Sequence, residues 1–183
     1  QTILVIFIAV LAYKILMNIH LENANILIDV AKGVTKRKPD WIAYQNRLLG
    51  PYSILSISKL TGISFRSAWA YFNAITLQIF CMTFFWILRY EGIQLKKAIG
   101  CLIFFLFAFL ILQDYFFYAW DSIDLIIFTC FAYFILKSFS KSYFLFIFLL
   151  GILNRESALF IPIYLIIDGF QFPKGLFSLR LVK

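Results

Sequence analysis

The chain has 183 residues, 63% of them hydrophobic and only 14% charged, with a net charge of +8. Soluble domains carry about a quarter of charged residues, so this composition excludes a soluble globule. The apolar runs are continuous rather than alternating, which excludes a β-barrel and predicts an all-α, polytopic transmembrane helical bundle of about five spanning helices.

Residues 2–19 are the first expected span, marred only by Lys14, which could snorkel or face the bundle. No small-residue cleavage pattern precedes His20, so the run reads as a span and not a signal peptide, with His20 an interfacial residue at its end. An outer loop, residues 20–63, carries short amphipathic segments. Within it, residues 21–34 alternate Ile26, Ile28 and Val30 with Glu22, Asn25, Asp29 and Lys32 and predict a helix that stops at Gly33. The most polar stretch follows, Thr35-Lys36-Arg37-Lys38-Pro39-Asp40, and residues 44–52 return the chain to the membrane. Residues 54–60 are too short to span and predict a re-entrant or interfacial segment. The remaining spans are expected at 64–88, 98–113, 122–137 and 143–167. Trp69, Tyr71, Trp86 and Tyr90 lie near the ends of the second, like an aromatic belt. The chain lacks an initiating Met, and Phe172 to Lys183 reads as a lead-in. Residues 1–183 are therefore expected to be a single transmembrane module of a longer protein.

The fifth span is unusual, because Asn154, Arg155, Glu156 and Ser157 sit near its middle. A charge at membrane depth costs about 2.5–3.5 kcal/mol on insertion scales, so such residues usually face a partner or a wet cavity. Neighbours on a helix point about 100° apart, so Arg155 and Glu156 are not expected to pair with each other, and each needs another partner. Pro162 removes one backbone donor, which a span tolerates where neighbours or water satisfy the freed carbonyl.

The Lys and Arg residues at 89–97 and 137–141 mark one side of the membrane, and the acidic connection 113–122 the other. The positive-inside rule places the two basic loops in the cytoplasm, and so puts the 20–63 loop on the outer face. Lys36 to Lys38 run against the rule, and a phosphate-binding role would explain them. The net positive charge fits phosphate-bearing lipids and membrane orientation rather than nucleic acid.

The outer side then collects the acids Glu22, Asp29, Asp40, Asp114, Asp121 and Asp124 and the bases Lys36, Arg37, Lys38 and Arg47, with Arg155 and Glu156 just beneath. Arginine grips phosphate oxygens bidentately, and a carboxylate can deprotonate a hydroxyl. A solvated loop charge is the simpler account of any single acid. Asp121 and Asp124 stand at the start of a helix, where carboxylates cap free N–H groups. There is no Gly-rich phosphate loop, HExxH or GxSxG motif, and Cys81, Cys101 and Cys130 are isolated, so neither a metal site nor a disulfide framework is expected.

One resemblance runs through the layout of nearly the whole chain. A span is followed by an outer loop with an early acid, then Tyr44-Gln45-Asn46-Arg47-Leu48-Leu49-Gly50-Pro51, then Tyr118-Ala119-Trp120-Asp121-Ser122-Ile123-Asp124. A short basic loop leads to Gly151-Ile152-Leu153-Asn154-Arg155-Glu156-Ser157-Ala158-Leu159-Phe160-Ile161-Pro162. This resembles the N-terminal half of bacterial GT-C class integral-membrane glycosyltransferases, including mannosyltransferase-like proteins. The resemblance implies an inner (plasma) membrane enzyme that takes a sugar from a polyprenyl-phosphate donor to an envelope glycan or lipid acceptor.

In that class a catalytic acid usually lies just after the first span, ahead of an Ala-x-Gly-like turn. Ala31-Lys32-Gly33 is similar to that turn, and Glu22 is the acid best placed before it, with Asp29 the nearer alternative. Asp121 or Asp124 would support that base or the acceptor. Arg155 and Arg47 would hold the donor phosphate, with Lys36 and Arg37 as further candidates, while Glu156 receives no role from the resemblance. Some relatives use a divalent cation, which these carboxylates could hold. Two other expectations stay open: a polysaccharide polymerase or lipid-linked glycan transporter, and a structural subunit whose Arg155 and Glu156 pair with a partner helix.

Overall fold

The computed structural model describes residues 1–112 and 117–169. Asp114 and the expected lead-in at 172–183 lie outside the described residues. The described residues are helical throughout, as expected: α1 (Thr2–Ile19), α2 (Ala24–Thr35), α3 (Leu49–Thr61), α4 (Phe65–Tyr90), α5 (Leu95–Leu112), α6 (Asp121–Leu136), α7 (Lys141–Ile152) and α8 (Phe160–Gly169). Among them α1, α4 and α5 are long and apolar enough to cross a membrane. Three helices among the described residues thus qualify where about five spans were expected, and α6 to α8 are individually shorter.

α4 is the central post, and α1, α3, α5 and α6 all pack on it. α1 buries Val5, Ala9, Ala12 and Leu16, spaced as one stripe along a helix, and turns Phe7, Leu11 and Ile15 outward. Lys14 lies on that exposed side, away from the bundle. The Tyr13 hydroxyl ties α1 to α4 by donating to the Ala70 carbonyl at 2.8 Å. His20 stands at the end of α1, as expected, and is buried against the chain at 1% exposure. The segment expected at 54–60 extends to the full length of α3, which turns back at Gly62 (φ 72) onto α4. Ser64 then caps α4 by accepting the Ser67 N–H at 3.1 Å.

The two basic loops meet, as their charge pattern predicts. Lys137 pairs with Glu91 at 2.9 Å, so the α4–α5 and α6–α7 turns share one end of the bundle. At the opposite end of α6, the segment 117–120 joins two apolar clusters. Phe117 belongs to the cluster of α1, α4 and α5, while Ala119 belongs to that of α2, α3, α4, α6, α7 and α8.

The largest departure is the fifth span, expected as one helix over 143–167. The chain leaves α7 after Ile152, runs extended at Arg155 (φ −162°, ψ 148°), makes a 3-10 turn over Glu156–Leu159 and only then starts α8. Two contacts explain the break. The Leu153 carbonyl is captured by the Leu48 and Leu49 N–H groups at 2.8 and 2.9 Å, and so is lost to the helix. Gly151 lets the chain fold onto Ala158, whose Cβ would stand 2.6 Å from any Cβ added there. Pro162 falls in the first turn of α8, where no intrahelical N–H is required.

Candidate active site

Three short segments converge at the N-terminal end of α6: the stretch before α3, the turn at 117–120, and the break between α7 and α8. Each supplies polar groups that its local sequence keeps out of a regular helix.

The first contributes Arg47, whose side chain is 7% exposed and donates to Glu156 Oε1 at 2.7 Å. Its guanidinium lies 5.0 Å from the ring centroids of both Tyr44 and Trp120. Such stacking suits a planar, weakly hydrated cation. Trp120 in turn stacks on Tyr118 at 4.8 Å, and the Tyr44 hydroxyl donates to that of Tyr118 at 3.0 Å.

The second segment contributes Asp121 and Asp124. Asp121 does not cap α6 as its position predicts. Its Oδ2 accepts the upstream Tyr118 N–H at 2.8 Å, pinning the aromatic turn to the helix start. Asp121 lies one residue ahead of the expected fourth span. Burial pushes its carboxyl up to about 7, against the pull of the Tyr118 N–H and of Arg155 in the other direction.

The third contributes Asn154 and Arg155. Asn154 is fully buried, and its Nδ2 donates to the Trp120 carbonyl at 2.9 Å and to Asp124 Oδ1 at 2.7 Å. Arg155 Nη1 stands 3.5 Å from Asp124 Oδ2 and 3.6 Å from Asp121 Oδ1, long for charge-assisted bonds, and its side chain is 40% exposed. The expectation that Arg155 and Glu156 have separate partners agrees with this geometry, though for another reason than helical spacing. The extended backbone at Arg155 sends successive side chains to opposite sides. Arg155 and Asp124 open on a groove of about 520 Å³ between α4, α5 and α6. Glu156 opens on a separate cavity of about 630 Å³ beside Asn46.

Of the residues anticipated from sequence, Arg47, Asp121, Asp124, Arg155 and Glu156 therefore come together. Glu22, Asp29, Lys36 and Arg37 stand elsewhere. Glu22 is exposed in the turn after α1, and Asp29 is exposed and paired with Lys32 on its own helix at 3.3 Å. Lys36 and Arg37 are exposed at the end of α2. Among the described residues no hydrogen bond or ion pair joins these residues to the cluster. Sequence reasoning singled out Asn154 as a polar residue inside an apolar run without giving it a role, and missed Tyr44, Tyr118 and Trp120 as site residues. The aromatic residues were indistinguishable from packing.

Among the described residues no three His, Cys, Asp or Glu side chains converge, and Asp121 and Asp124 already face a cation in Arg155. Comparison with protein-family models, with curated proteins and with solved structures finds no match.

Proposed function

We propose that the chain is the membrane module of a glycosyltransferase that moves a sugar from a polyprenyl-phosphate donor to a hydroxyl of an envelope glycan or lipid, at the outer face of a bacterial inner membrane. One observation carries this reading. Arg155, a half-exposed cation held loosely by two carboxylates, stands where an apolar groove between helices ends. A lipid phosphate needs that combination, a fixed positive charge at the mouth of a hydrocarbon-compatible trough.

In this reaction the acceptor oxygen bonds to the anomeric carbon as the bond from that carbon to the phosphate oxygen breaks. The leaving phosphate gains charge, and Arg155 can meet it with two N–H donors. Asp124 takes the hydroxyl proton, because its Oδ2 is released when the phosphate draws Arg155 away. This gives Asp124 the base role in preference to Glu22 and Asp29, which stand exposed on and before α2. Arg47 and Glu156 hold the break in place beneath. Arg155 and Glu156 both find partners inside the chain, which supports this reading over that of a structural subunit.

Mass spectrometry of surface glycans and lipid-linked intermediates from a strain lacking the gene tests the proposal. Loss of one defined sugar, restored by wild type but not by Asp124→Asn, is the expected result. Accumulation of complete, unpolymerised lipid-linked units would favour a polymerase or transporter instead. An unchanged profile would overturn the proposal.

A further inference from the structure

We infer that the end of the bundle carrying the two basic loops holds a site for an anionic diacyl phospholipid, with the headgroup phosphate between Arg89 and Lys137. This site lies about 20 Å along α6 from Asp124 and does not rest on the function proposed above.

The loops at 89–97 and 137–141 set Arg89, Lys96, Lys97, Lys137 and Lys141 against one acid, Glu91. Lys137 pairs with that acid at 2.9 Å and lies 5.7 Å from the centre of the Tyr90 ring. Arg89 has no carboxylate partner among the described residues. Its Nη1 donates to the Ile93 carbonyl at 2.6 Å, across the α4–α5 turn, which holds the guanidinium in place without neutralising it. A fixed cation with no counter-ion is the half of an ion pair that a phosphate completes.

Two adjoining cavities surround these cations. One of about 480 Å³ is lined by Thr83, Trp86, Ile87, Arg89, Tyr90 and Tyr133, and one of about 240 Å³ by Tyr90, Tyr133, Lys137 and Phe139. Tyr90 and Tyr133 are common to both, so a headgroup seated against them has Arg89 on one side and Lys137 on the other. The occupant is a lipid rather than free phosphate, because the larger cavity continues a membrane-facing stripe. Ile75, Ile79, Thr83 and Trp86 follow at three- and four-residue spacing along α4, a helix long enough to span, and Ile75, Ile79 and Trp86 are exposed. Thr83 and Trp86 carry that stripe into the cavity lining. Acyl chains lie along the stripe while the headgroup reaches the cations, and Trp86 and Tyr90 take the interfacial level that such rings favour. An open helix face accepts both chains of a diacyl lipid. The surplus positive charge of the loops selects an anionic headgroup over a zwitterionic one, whose own cation it would repel.

The test uses the full-length protein in detergent and three probes: dioleoyl phosphatidylglycerol, dioleoyl phosphatidylcholine and inorganic phosphate, with binding read by native mass spectrometry. Wild type is expected to bind phosphatidylglycerol at least about tenfold more tightly than phosphatidylcholine, and equimolar inorganic phosphate should not displace it. Arg89→Gln should weaken phosphatidylglycerol binding about fivefold, as the loss of one cation does at a lipid surface, and Lys137→Gln should do the same. Glu91→Gln has the opposite sign. It breaks an ion pair yet releases Lys137 to the phosphate, so phosphatidylglycerol should bind more tightly, a gain that a merely structural pair would not give. Arg66→Gln removes an exposed cation at the other end of α4 and should leave the preference unchanged. If Arg89→Gln fails to fold, the opposed effects of Glu91→Gln and Lys137→Gln decide the matter. Undiminished phosphatidylglycerol binding in folded Arg89→Gln or Lys137→Gln would overturn the inference. So would an equal loss in Arg66→Gln, which would reduce the effect to diffuse charge attraction. Phosphatidylcholine bound as tightly, or displacement by inorganic phosphate, would overturn it as well.

Discussion

Arg47 and Glu156, 109 residues apart in sequence, are joined by a 2.7 Å hydrogen bond that bridges the stretch before α3 to the break after α7. The two ends are unlike, since the Arg47 side chain is 7% exposed and that of Glu156 58%. Removing the carboxylate strands a buried cation, whereas removing the cation leaves a carboxylate that water can reach. Glu156→Gln keeps a neutral acceptor and is expected to cost about 1–2 kcal/mol, below the range for a fully buried pair because of that exposure. Arg47→Lys should also destabilise, since a compact ammonium cannot replace the planar guanidinium that lies against both the Tyr44 and Trp120 rings. Thermal unfolding in detergent measures both, and an Arg47→Lys protein as stable as wild type would refute the stacking account.

Two glycines make close approaches of different kinds. A Cβ on Gly151 would meet the Ala158 Cβ at 2.6 Å, and one on Gly50 would meet the Ala119 carbonyl oxygen at 2.7 Å. Either Gly→Ala change should cost about 1–3 kcal/mol by overpacking. The difference appears in the double variants. Ala158→Gly should restore much of the stability of Gly151→Ala, because it removes the colliding methyl. Ala119→Gly should not rescue Gly50→Ala, because the carbonyl remains. Equal rescue in the two pairs would be the contrary result, again read by thermal unfolding.

Asn154 donates to both the Trp120 carbonyl and Asp124, and is fully buried. Asn154→Ala is expected to cost about 2–3 kcal/mol, because it removes two buried hydrogen bonds and leaves Asp124 Oδ1 without its amide donor, while the Trp120 carbonyl keeps the Asp124 N–H at 3.0 Å. It should also lower transfer activity by freeing Asp124 to swing. Asn154→Asp sets a second carboxylate against Asp124 and should be at least as damaging. A stable, fully active Asn154→Ala protein would show that the bonds are incidental.

The pH dependence of stability should carry the mark of Asp121. Its carboxyl is raised from 3.8 to about 7 by burial, so the folded chain holds that proton more tightly than the unfolded one. The resulting stabilisation is complete below about pH 3.8 and is lost as pH rises to about 7. Asp121→Asn cannot ionise, so its melting temperature should vary less than that of wild type across this window. Parallel profiles would contradict the assignment.

Much of the helical layout could be read before the structure was known. α1 and α5 follow directly from their apolar runs, whereas α2, expected as an amphipathic helix ending at Gly33, runs on to Thr35 and buries Leu27, Ile28, Val30, Ala31 and Val34 while exposing Ile26. The basic loops at 89–97 and 137–141 were placed together by charge, and Lys137 does meet Glu91. Arg155 and Glu156 could be picked out because charge near membrane depth is costly wherever it occurs, and Arg47, Asp121 and Asp124 because they collect on the expected outer side. Glu22, Asp29, Lys36 and Arg37 were equally visible as charges, yet nothing local distinguished an exposed loop charge from a converging one.

Sequence alone determined that this chain is helical and apolar. Those properties depend on side-chain solvation and on short-range periodicity, which each stretch carries in itself. Only the tertiary structure decided that the last apolar run breaks and which residues meet at the break. The Leu153 carbonyl is taken by Leu48 and Leu49, and Asn154 by Trp120 and Asp124. A helix ends there because distant backbone and side-chain groups compete for its hydrogen bonds, and no pattern within residues 143–167 records that competition.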